Sequence, residues 1–550
     1  MPTDITIDAN NETGTLTAAD IIAQRLFAAG CRYAFGIPGG EVILMIDALR
    51  RAGIRFILTK HENSAGFMAE GAYHLTGAPG ILVATLGPGV ANGLNVVANA
   101  LQDRVPLIVL TGCVDPEEEL TYTHQVVDHA GIYRPITKAT LKVTSGSIDV
   151  LADKAVNLSL DGRPGPVHID LPISATRARH AAPSTPIIRS TPSPVAPAAG
   201  VKLDEARLWL SQAKKPLMIA GLDAMDDKSA AAVECFCRQF NVPLITTYKA
   251  KGIIAEDDPL SLGGAGLSPR ADEHLLPVVR AADLIILAGY DPVEMRIGWR
   301  NVWDVQKQRV LEISREVNEH YMHQAGISFV ADIEASLHMI GQGVEPKGTW
   351  PEGETAAAKA KLATAFGQGE VWGPAAIVET VRANTSRNAV ATVDSGAHRI
   401  LQSQIWACYG PRTLLQSSAF CTMGCALPLA IGAKVVEPER EVIAFTGDAG
   451  LEMVLGELAT ARDLKAGVKV VVFVDTSLAL IELKQRNVGL ENYGVDFEET
   501  DFKAVADALG GRGFVCESRD ELEQALVAAP DDTFSLFACK FERKAYDGRI

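Results

Sequence analysis

The sequence has little of what marks a nucleic-acid-binding or membrane protein. Acidic residues outnumber basic ones by 67 to 51, and the formal net charge of −16 argues against nucleic acid as a partner. No apolar run approaches the roughly 20 residues that a membrane-spanning helix needs. Residues 1–6 (MPTDIT) have neither a basic start nor an apolar signal core. We therefore expect a cytoplasmic protein that binds no nucleic acid and no membrane.

Cysteine pairs at zinc-site spacing and a dinucleotide-binding fingerprint are also missing. The nine cysteines are scattered, without two close pairs at the spacing of a zinc site. We interpret them as reduced and mostly buried thiols. The middle of the chain has Rossmann-like strand patterns, but no intact Gly-x-Gly-x-x-Gly follows a strand. A nicotinamide cofactor therefore has little support.

What the sequence does contain is a division into three blocks of ordinary domain size. Residues 181–200 (AAPSTPIIRSTPSPVAPAAG) are rich in Pro, Ser and Ala, which is typical of a surface linker. A second break, rich in Gly, Pro, Glu and Ala, spans about 341–370. We predict domains at residues 14–182, 198–342 and 368–546.

Strand-like and helix-like segments alternate in the first and third blocks. In the first block we predict strands at 33–36, 55–58, 80–85 and 107–111, and helices at 41–51, 64–76 and 91–103. In the third block we predict strands at 389–393, 441–446 and 469–474. This alternation predicts an α/β protein built from doubly wound parallel sheets.

Two aspartates in the third block lie just past the ends of two predicted strands. Asp448, in the turn Gly447-Asp448-Ala449-Gly450, and Asp475 are 27 residues apart, with one predicted helix at 451–466 between them. The carboxyl ends of parallel strands form the ligand-binding edge of such sheets. Two carboxylates beside a glycine-rich turn suit Mg²⁺ holding a diphosphate. The alternative is an ordinary strand-to-helix turn with a capping aspartate.

Glu62 of the first block holds a comparable position. It follows a predicted strand and precedes a predicted helix, in the context His61-Glu62-Asn63. A carboxylate favoured by the helix dipole is the simpler interpretation. The next predicted strand is followed by the turn Gly87-Pro88-Gly89-Val90-Ala91-Asn92, which by itself is a tight loop.

Together these motifs resemble those of thiamine-diphosphate enzymes. That family has Gly-Asp-Gly followed some 27 residues later by Asn or Asp, a Gly-Pro-Gly-x-x-Asn turn, and a glutamate at the position of Glu62. Ala449 replaces the usual third glycine. Residues 15–545 resemble the acetohydroxyacid synthase branch, nearest the catabolic, flavin-free acetolactate synthases, as in the segment Gly289-Tyr-Asp-Pro-Val-Glu294. The resemblance implies pyrimidine-binding, central Rossmann-like and diphosphate-binding domains, and thiamine diphosphate with Mg²⁺ as cofactors. The flavin-free branch implies that FAD is absent, and a nonfunctional dinucleotide in the middle block is the alternative.

The resemblance also assigns site residues. Glu62 would bond to the aminopyrimidine ring, and Gln125, next to His124, would lie near the substrate. Asp448, Asp475 and the carbonyl of Ser477 would hold the metal ion. Further residues would line the cofactor pocket: Pro38, Pro88, Asn92, Gly396, Ala397, His398, Cys421, Met423, Gly447, Ala449, Gly450, Leu478, Ala479 and Leu480.

Two positions depart from the synthase pattern. His124 stands where the synthases have Phe, and simple decarboxylases often carry a His pair in this region; a solvated loop histidine is the alternative. Lys484 stands where the anabolic synthases have Trp. It is either an outward-facing lysine or a contact for the carboxylate or sulfonate of an unusual acceptor.

The implied activity is decarboxylation of a 2-oxo acid, pyruvate, and carboligation of the two-carbon unit to a second oxo compound, giving 2-acetolactate or a close relative. The alternatives are a 2-oxo acid decarboxylase, an acetyl-transferring enzyme that acts on a small aldehyde of the sulfoacetaldehyde type, and a catalytically silent cofactor-binding subunit. The resemblance further implies a homodimer or homotetramer with active sites at subunit interfaces.

Overall fold

A computed structural model describes residues 15–144, 146, 148–181, 193–367 and 369–550. The chain forms two compact units, one up to Pro192 and one from Ser193 to Ile550, and each is described by itself. Most of the predicted linker at 181–200 lies outside the described residues, as do positions 14, 182 and 368, where three of the predicted domain limits fall.

The first unit contains a six-stranded parallel sheet. The strands of this unit are β1 (Thr15–Thr17), β2 (Tyr33–Gly36), β3 (Arg55–Leu58), β4 (Gly80–Ala84), β5 (Leu107–Cys113), β6 (Ala139–Lys142), β7 (Pro166–Pro172) and β8 (Arg179–Ala181). The order in the sheet is β3-β2-β4-β5-β7-β6, while β1 and β8 form a separate antiparallel pair. The helices are α1 (Ala18–Ala28), α2 (Ile43–Arg51), α3 (Glu62–Thr76), α4 (Pro88–Asn92), α5 (Leu94–Gln102), α6 (His129–Tyr133), α7 (Ile148–Leu160) and α8 (Ile173–Arg177).

The second unit begins with another six-stranded parallel sheet. Its strands are β9 (Pro216–Ala220), β10 (Leu244–Thr247), β11 (Ser261–Ala265), β12 (Leu284–Ala288), β13 (Arg309–Ser314) and β14 (Ile327–Val330), in the order β11-β10-β9-β12-β13-β14. The helices are α9 (Val201–Gln212), α10 (Asp227–Phe240), α11 (Pro269–Ala281), α12 (Ile333–Gly341) and α13 (Glu354–Ala365). Alternate residues of β9 enter two different apolar cores, Met218 one and Leu217 the other, so both faces of the sheet are covered.

A third parallel sheet of six strands completes the second unit. Its strands are β15 (Val390–Val393), β16 (Leu414–Gln416), β17 (Val442–Gly447), β18 (Lys469–Val474), β19 (Arg512–Cys516) and β20 (Ser535–Lys540), in the order β16-β15-β17-β18-β20-β19. The helices are α14 (Pro374–Ala383), α15 (Ala397–Ile405), α16 (Ala426–Val436), α17 (Asp448–Glu452), α18 (Glu457–Asp463), α19 (Ala479–Asn487), α20 (Phe502–Ala508) and α21 (Arg519–Ala528). Short 3₁₀ turns occur at Arg134–Ile136, Leu222–Ala224, Pro292–Glu294, Ile297–Trp299 and Arg543–Tyr546.

The predicted fold class is confirmed, since all three six-stranded sheets are parallel and covered by helices. The predicted strands match the observed ones to within two residues at each end. None of the described helices combines the length and apolarity needed to cross a bilayer.

Two helix predictions are wrong in detail. The single helix predicted at 451–466 is two short helices, α17 and α18, joined by turns whose hydrogen bonds link residues three apart, such as Glu457 N to Val454 O. Gly456, a poor helix former, lies just before α18. The helix predicted at 91–103 is likewise divided at Gly93.

The predicted break at 341–370 is also partly wrong, because α13 lies within it. Six of its twelve residues are Ala and two are Lys, which favour helix. The Lys359 ammonium donates to the backbone carbonyls of Glu256 and Ser261, at 2.9 Å each. This helix is therefore attached to the central sheet and is not a free linker.

Candidate functional site

Three aspartates of the third sheet lie at the same edge. Strand β17 pairs in parallel with both β15 and β18. The residues that follow β15, β17 and β18 are Asp394, Asp448 and Asp475, so the three aspartates lie at the carboxyl ends of neighbouring strands. All three side chains are buried. Open parallel sheets bind their ligands at this edge.

Asp448 and Asp475 are connected through the backbone. One Asp448 carboxylate oxygen accepts from the N–H groups of Asp475, at 3.0 Å, and Thr476, at 2.7 Å, while the other accepts from Ala449 N at 2.8 Å. Asp475 accepts from the N–H of Ser477 at 3.1 Å. The predicted metal ligands therefore lie together in the segments that directly follow β17 and β18.

The electrostatics of this pair fit a divalent cation. Burial raises the pKa of the Asp448 carboxyl, and burial together with the charge of Asp448 raises that of Asp475 to about 8. The nearby Arg543 is paired with Asp496 at 2.5 Å and so offers little compensation. Two buried carboxylates with hard oxygen donors and little positive charge close by are the donor set that Mg²⁺ prefers.

Asp394 organises the surrounding loops. Its carboxylate accepts from the N–H of Gly424 at 2.8 Å and of Cys425 at 3.3 Å, and from the Thr446 hydroxyl at 3.1 Å. A Cβ atom on Gly450 would lie 2.3 Å from an Asp394 oxygen, which explains the glycine there. Asp394 therefore ties the loop that carries Cys421 and Met423 to the ends of β15 and β17.

His398, in the first turn of α15, presents an unsatisfied ring nitrogen. Its Nε2 atom is buried and has no hydrogen-bond partner among the described residues. The ring stacks on Phe473, with centroids 5.1 Å apart. Burial, and then the charge of Arg399, lowers the pKa of His398 to about 3, so the ring is neutral. A Cβ on Gly396 would lie 2.6 Å from this ring, so glycine leaves the space it needs.

These elements enclose a cavity of about 630 Å³ in the second unit. Every site residue predicted in this unit lines it: Gly396, Ala397, His398, Cys421, Met423, Gly447, Asp448, Ala449, Gly450, Asp475, Ser477, Leu478, Ala479, Leu480 and Lys484. The cavity size and this lining fit a bound cofactor.

Sequence analysis missed two cationic residues of the same cavity, Arg296 and Arg399. Arg296 comes from the central sheet region, where its Nη2 atom donates to Asp272 at 2.7 Å. Arg399 donates to the Ser417 carbonyl at 2.6 Å and lies 3.3 Å from the sulfur of Cys421. Arg296 follows the segment 289–294 and Arg399 follows His398, and both of these carry the family resemblance. No sequence motif, however, predicted a role for the two arginines themselves.

The predicted residues of the first unit gather around Glu62. Glu62 is the first residue of α3, so it lies within the helix and not before it as predicted. Its buried carboxylate accepts from the Asn92 amide at 3.0 Å, and a Cβ on Gly89 would lie 3.3 Å from its other oxygen. Pro88 starts α4, which ends at Asn92. The turn at 87–92 thus holds Glu62 in place.

The remaining predicted residues of this unit lie in exposed loops. Pro38 follows β2, and a Cβ on the adjacent Gly39 would lie 2.2 Å from the Thr85 hydroxyl oxygen, so the two loops approach closely. His124 and Gln125 are exposed, and Gln125 has a positive φ of 58°. A Cβ on Gly87 would lie 2.4 Å from the Gln125 carbonyl oxygen. The loop that carries Gln125 therefore packs on the turn beside Glu62.

Family comparisons agree with this architecture. The chain matches the thiamine pyrophosphate enzyme models for the N-terminal TPP binding domain at residues 16–132, the central domain at 203–340 and the C-terminal TPP binding domain at 394–539. The fold and the site thus define a thiamine-diphosphate-dependent enzyme.

Similar proteins narrow the class. An acetolactate synthase of Bacillus subtilis is 28% identical over 529 residues, which cover 92% of this chain and 90% of that protein. A catabolic acetolactate synthase of Raoultella terrigena is 30% identical, with 93% and 92% covered, and the large subunit of acetolactate synthase isozyme 1 of Escherichia coli is 30% identical, with 85% and 83% covered. The chain belongs to the acetolactate synthase branch of the thiamine pyrophosphate enzymes. The predicted class, branch and organic cofactor are thereby confirmed, while the domain limits and residue roles stay predictions.

Proposed function

We propose that this enzyme decarboxylates pyruvate and joins the two-carbon unit to a second oxo compound, giving 2-acetolactate or a close relative. The observation that carries the proposal is the cavity of the second unit, in which a paired-aspartate site, an unsatisfied histidine and cationic side chains line one space. The activity stated in the names of the similar proteins supports the same reaction.

The residues around Asp448 would hold the cofactor. Asp448, Asp475 and Ser477 would bind Mg²⁺, and the ion with the turn at Gly396 and the ring of His398 would bind the diphosphate. When bound, thiamine diphosphate supplies an electron sink for decarboxylation of a 2-oxo acid. We propose that flavin is not required.

Glu62 of a second copy of the chain would control a proton at the other end of the cofactor. Its carboxyl is buried and held by Asn92, so it is kept in one orientation. In that orientation it would hold a proton against a ring nitrogen of the pyrimidine, and Gln125 would lie near the substrate. The side chain of His124, like that of Gln125, is exposed.

The cations of the cavity indicate an acceptor that carries a negative charge. The charge of Arg296 is shared with Asp272, whereas Lys484 is exposed at the cavity and forms no ion pair with any residue that the structure describes. Lys484 would therefore bind the carboxylate of a second 2-oxo acid. A sulfonated aldehyde as acceptor, with acetyl transfer, is the second candidate, because the same ammonium group suits a sulfonate.

The cavity walls favour loss of CO₂. Leu267, Leu478, Leu480 and Leu483 contribute apolar surface beside the polar groups. Charge disperses as the carboxylate of the donor leaves, so a weakly polar wall that keeps water away assists this step. The same exclusion of water would protect the two-carbon unit from protonation until the acceptor arrives.

Product analysis tests this proposal. Purified enzyme with Mg²⁺ and thiamine diphosphate is incubated with ¹³C-pyruvate, alone or with sulfoacetaldehyde or 2-oxobutanoate, and the products are followed by NMR and mass spectrometry. We expect acetolactate, which acid converts to acetoin. Free acetaldehyde as the main product would contradict carboligation, and a product formed only with sulfoacetaldehyde would establish the second candidate.

The assembly is part of the same proposal. We propose at least a homodimer, and a homotetramer as a dimer of dimers. Sedimentation of the active enzyme measures this directly. A fully active monomer would contradict it.

A further inference from the structure

Two buried histidines and a buried aspartate lie behind the turn that holds Glu62. His129 begins α6, while His168 and Asp170 lie on β7. His129 Nε2 lies 3.2 Å from the backbone N of Gly87, and its Nδ1 lies 2.8 Å from Asp170 Oδ1. The ring of His129 thus connects the start of the turn at 87–92 to the central strands of the sheet.

The direction of each hydrogen bond in this chain follows from the donors. The N–H of Gly87 donates, so His129 Nε2 accepts, and the ring proton is on Nδ1, which donates to Asp170. The Thr111 hydroxyl donates to Asp170 at 2.7 Å, and His168 Nε2, 2.6 Å from that hydroxyl, donates to it in turn. Every link therefore has one donor and one acceptor.

Asp170 is the acceptor at the end of this series of hydrogen bonds. Burial by itself raises the pKa of the Asp170 carboxyl, but the hydrogen bonds from His129 and Thr111, together with His168, whose Nε2 lies 3.4 Å from Asp170 Oδ1, outweigh burial and hold the pKa below its ordinary value. A carboxylate here orients the His129 ring with its Nδ1–H inward, and Nε2 is consequently presented to Gly87 as an acceptor.

The same short helix also holds the far side of the turn. The Tyr133 hydroxyl donates to the carbonyl of Val90 at 2.8 Å, and its ring packs edge-on against His168 with centroids 4.8 Å apart. Helix α6 thus binds both Gly87 and Val90. Asn92, which donates to Glu62, follows two residues after Val90.

A metal ion is the competing interpretation of this cluster. His129, His168 and Asp170 are the one group of histidine, cysteine and acidic side chains in the described ranges whose ligand atoms lie close enough together to hold a metal ion. A metal on His129 Nδ1 would leave Nε2 to carry the ring proton, which would face the N–H of Gly87, donor against donor. The geometry therefore opposes a metal site.

We propose that His129 is a positioning residue, which fixes the Gly87 turn through Nε2 and so sets the placement of Asn92 and Glu62 against the cofactor. The inference rests on the proposed role of Glu62. Gly87 has a φ of 64°, and His129 is the partner of its buried N–H. Loss of that acceptor leaves a buried donor unpaired at the start of the turn, and the turn is expected to shift.

Two amide variants separate this role from a merely structural one. In His129→Gln the side-chain oxygen reaches the position of Nε2 and still accepts from Gly87, but the contact with Asp170 is lost. In His129→Asn the amide reaches only the position of Nδ1, so it still donates to Asp170 and leaves Gly87 unpaired. A role confined to satisfying Asp170 predicts that His129→Asn is the milder variant, whereas positioning predicts that His129→Gln is.

The readout is the exchange of the C2 proton of bound thiamine diphosphate for deuterium, measured by NMR after acid quench and without substrate. We expect His129→Asn to slow exchange by about ten- to a hundredfold, as for a small misplacement of a catalytic group. His129→Gln is expected to exchange near the parent rate. His338→Asn, the same substitution at an exposed histidine of α12, is the control and is expected to match the parent.

The outcomes are decisive in each direction. Parent-like exchange in His129→Asn, or equal slowing in both His129 variants, overturns the inference. If His129→Asn does not fold, Tyr133→Phe, which frees the Val90 carbonyl at the other end of the turn, must slow exchange instead; a parent-like rate there overturns it as well. Zinc that copurifies with the parent and is lost in His129→Gln would establish the metal site instead.

Failure of the proposed function can be distinguished from failure of the inference about His129. Glu62→Gln is expected to slow exchange by about a hundredfold or more. If it does not, the role of Glu62 is wrong, and the positioning role is wrong with it. If Glu62→Gln is slow while His129→Asn is not, only the inference about His129 is removed.

Discussion

The backbone N–H of Asp475 donates to the carboxylate of Asp448 over 3.0 Å. The two acidic residues are thus joined directly, across neighbouring strands, before any ion is bound. The loop geometry of the metal site is therefore built into the protein chain, while the charge of the site is left uncompensated. The two buried carboxylates favour binding of the metal ion, but their like charges destabilise the fold of the metal-free protein.

Asp475→Asn separates these two effects. The amide oxygen still accepts from Ser477 N and still offers an oxygen ligand, but one of the two buried negative charges is gone. We expect a higher apparent melting temperature in EDTA at pH 8. We also expect the Mg²⁺ concentration needed for cofactor binding to rise by more than about tenfold, since a unit charge contributes several kcal/mol to such a contact. Differential scanning fluorimetry measures both. Asp532→Asn, at an exposed position, is the control and should change neither value.

Gly396→Ala tests the space beside His398. A Cβ atom at this position would lie 2.6 Å from the ring, so the ring must move. Overpacking of this kind costs about 1–3 kcal/mol, and we expect the Kd for thiamine diphosphate to rise about tenfold or more. Fluorescence titration in saturating Mg²⁺ measures the Kd. Gly348→Ala, where a Cβ would meet nothing within 4 Å, is the matched control. Equal affinities for the two variants would contradict the proposed contact of His398 with the cofactor.

Lys484→Met tests the charge of the acceptor. The substitution keeps the length of the side chain but removes the ammonium group from the cavity. We expect the KM of the acceptor to rise about tenfold with little change in donor decarboxylation, because one charge-assisted contact is lost. Lys484→Arg keeps the charge and should remain close to the parent. An unchanged acceptor range and KM in Lys484→Met would show that this lysine is an outward-facing surface residue.

His323 predicts a pH dependence of stability in the central region. Burial, and then the charge of His320, lowers the pKa of His323 to about 4, against an ordinary value of 6.5. The unfolded chain therefore binds more protons between pH 6.5 and 4, and the stability that this group contributes is present above pH 6.5 and lost as pH falls through that window. The free energy of unfolding, measured with urea between pH 7.5 and 4.5, should fall as the pH falls. Its dependence on pH should be weaker in His323→Gln. The same pH dependence in the parent and in His323→Gln would contradict the role of His323.

The strands were predictable because their physical signal is local. Residues 470–474 are apolar throughout and the run is bounded by polar or glycine-rich turns, so the observed strand, Lys469–Val474, begins and ends where predicted. Asp448 and Asp475 could be placed at one sheet edge for the same reason. The helices were less predictable. Periodicity alone could not reveal that the segment after Asp448 divides at the turns before Gly456.

The parts of the site that sequence analysis missed depend on contacts between distant residues. His129 and Asp170 are 41 residues apart, on a helix and a strand with no motif between them. Arg296 enters the cavity from the central sheet region, held by Asp272. Asp394 was not among the predicted site residues, although its carboxylate accepts from Gly424, Cys425 and Thr446. Residues whose partners are distant in sequence form no motif of fixed spacing, so only the folded structure identifies them.

The neutral ring of His398 has a consequence for how the enzyme would retain its cofactor. Because burial keeps the pKa of this histidine near 3, acidification across the range that cells experience adds no imidazolium charge beside the diphosphate. Electrostatic retention then depends on the divalent ion and on the arginines that line the cavity, Arg296 and Arg399. A chelator should accordingly release thiamine diphosphate, and acidity would act on cofactor loading through Asp475, whose carboxyl has a pKa of about 8, and not through His398.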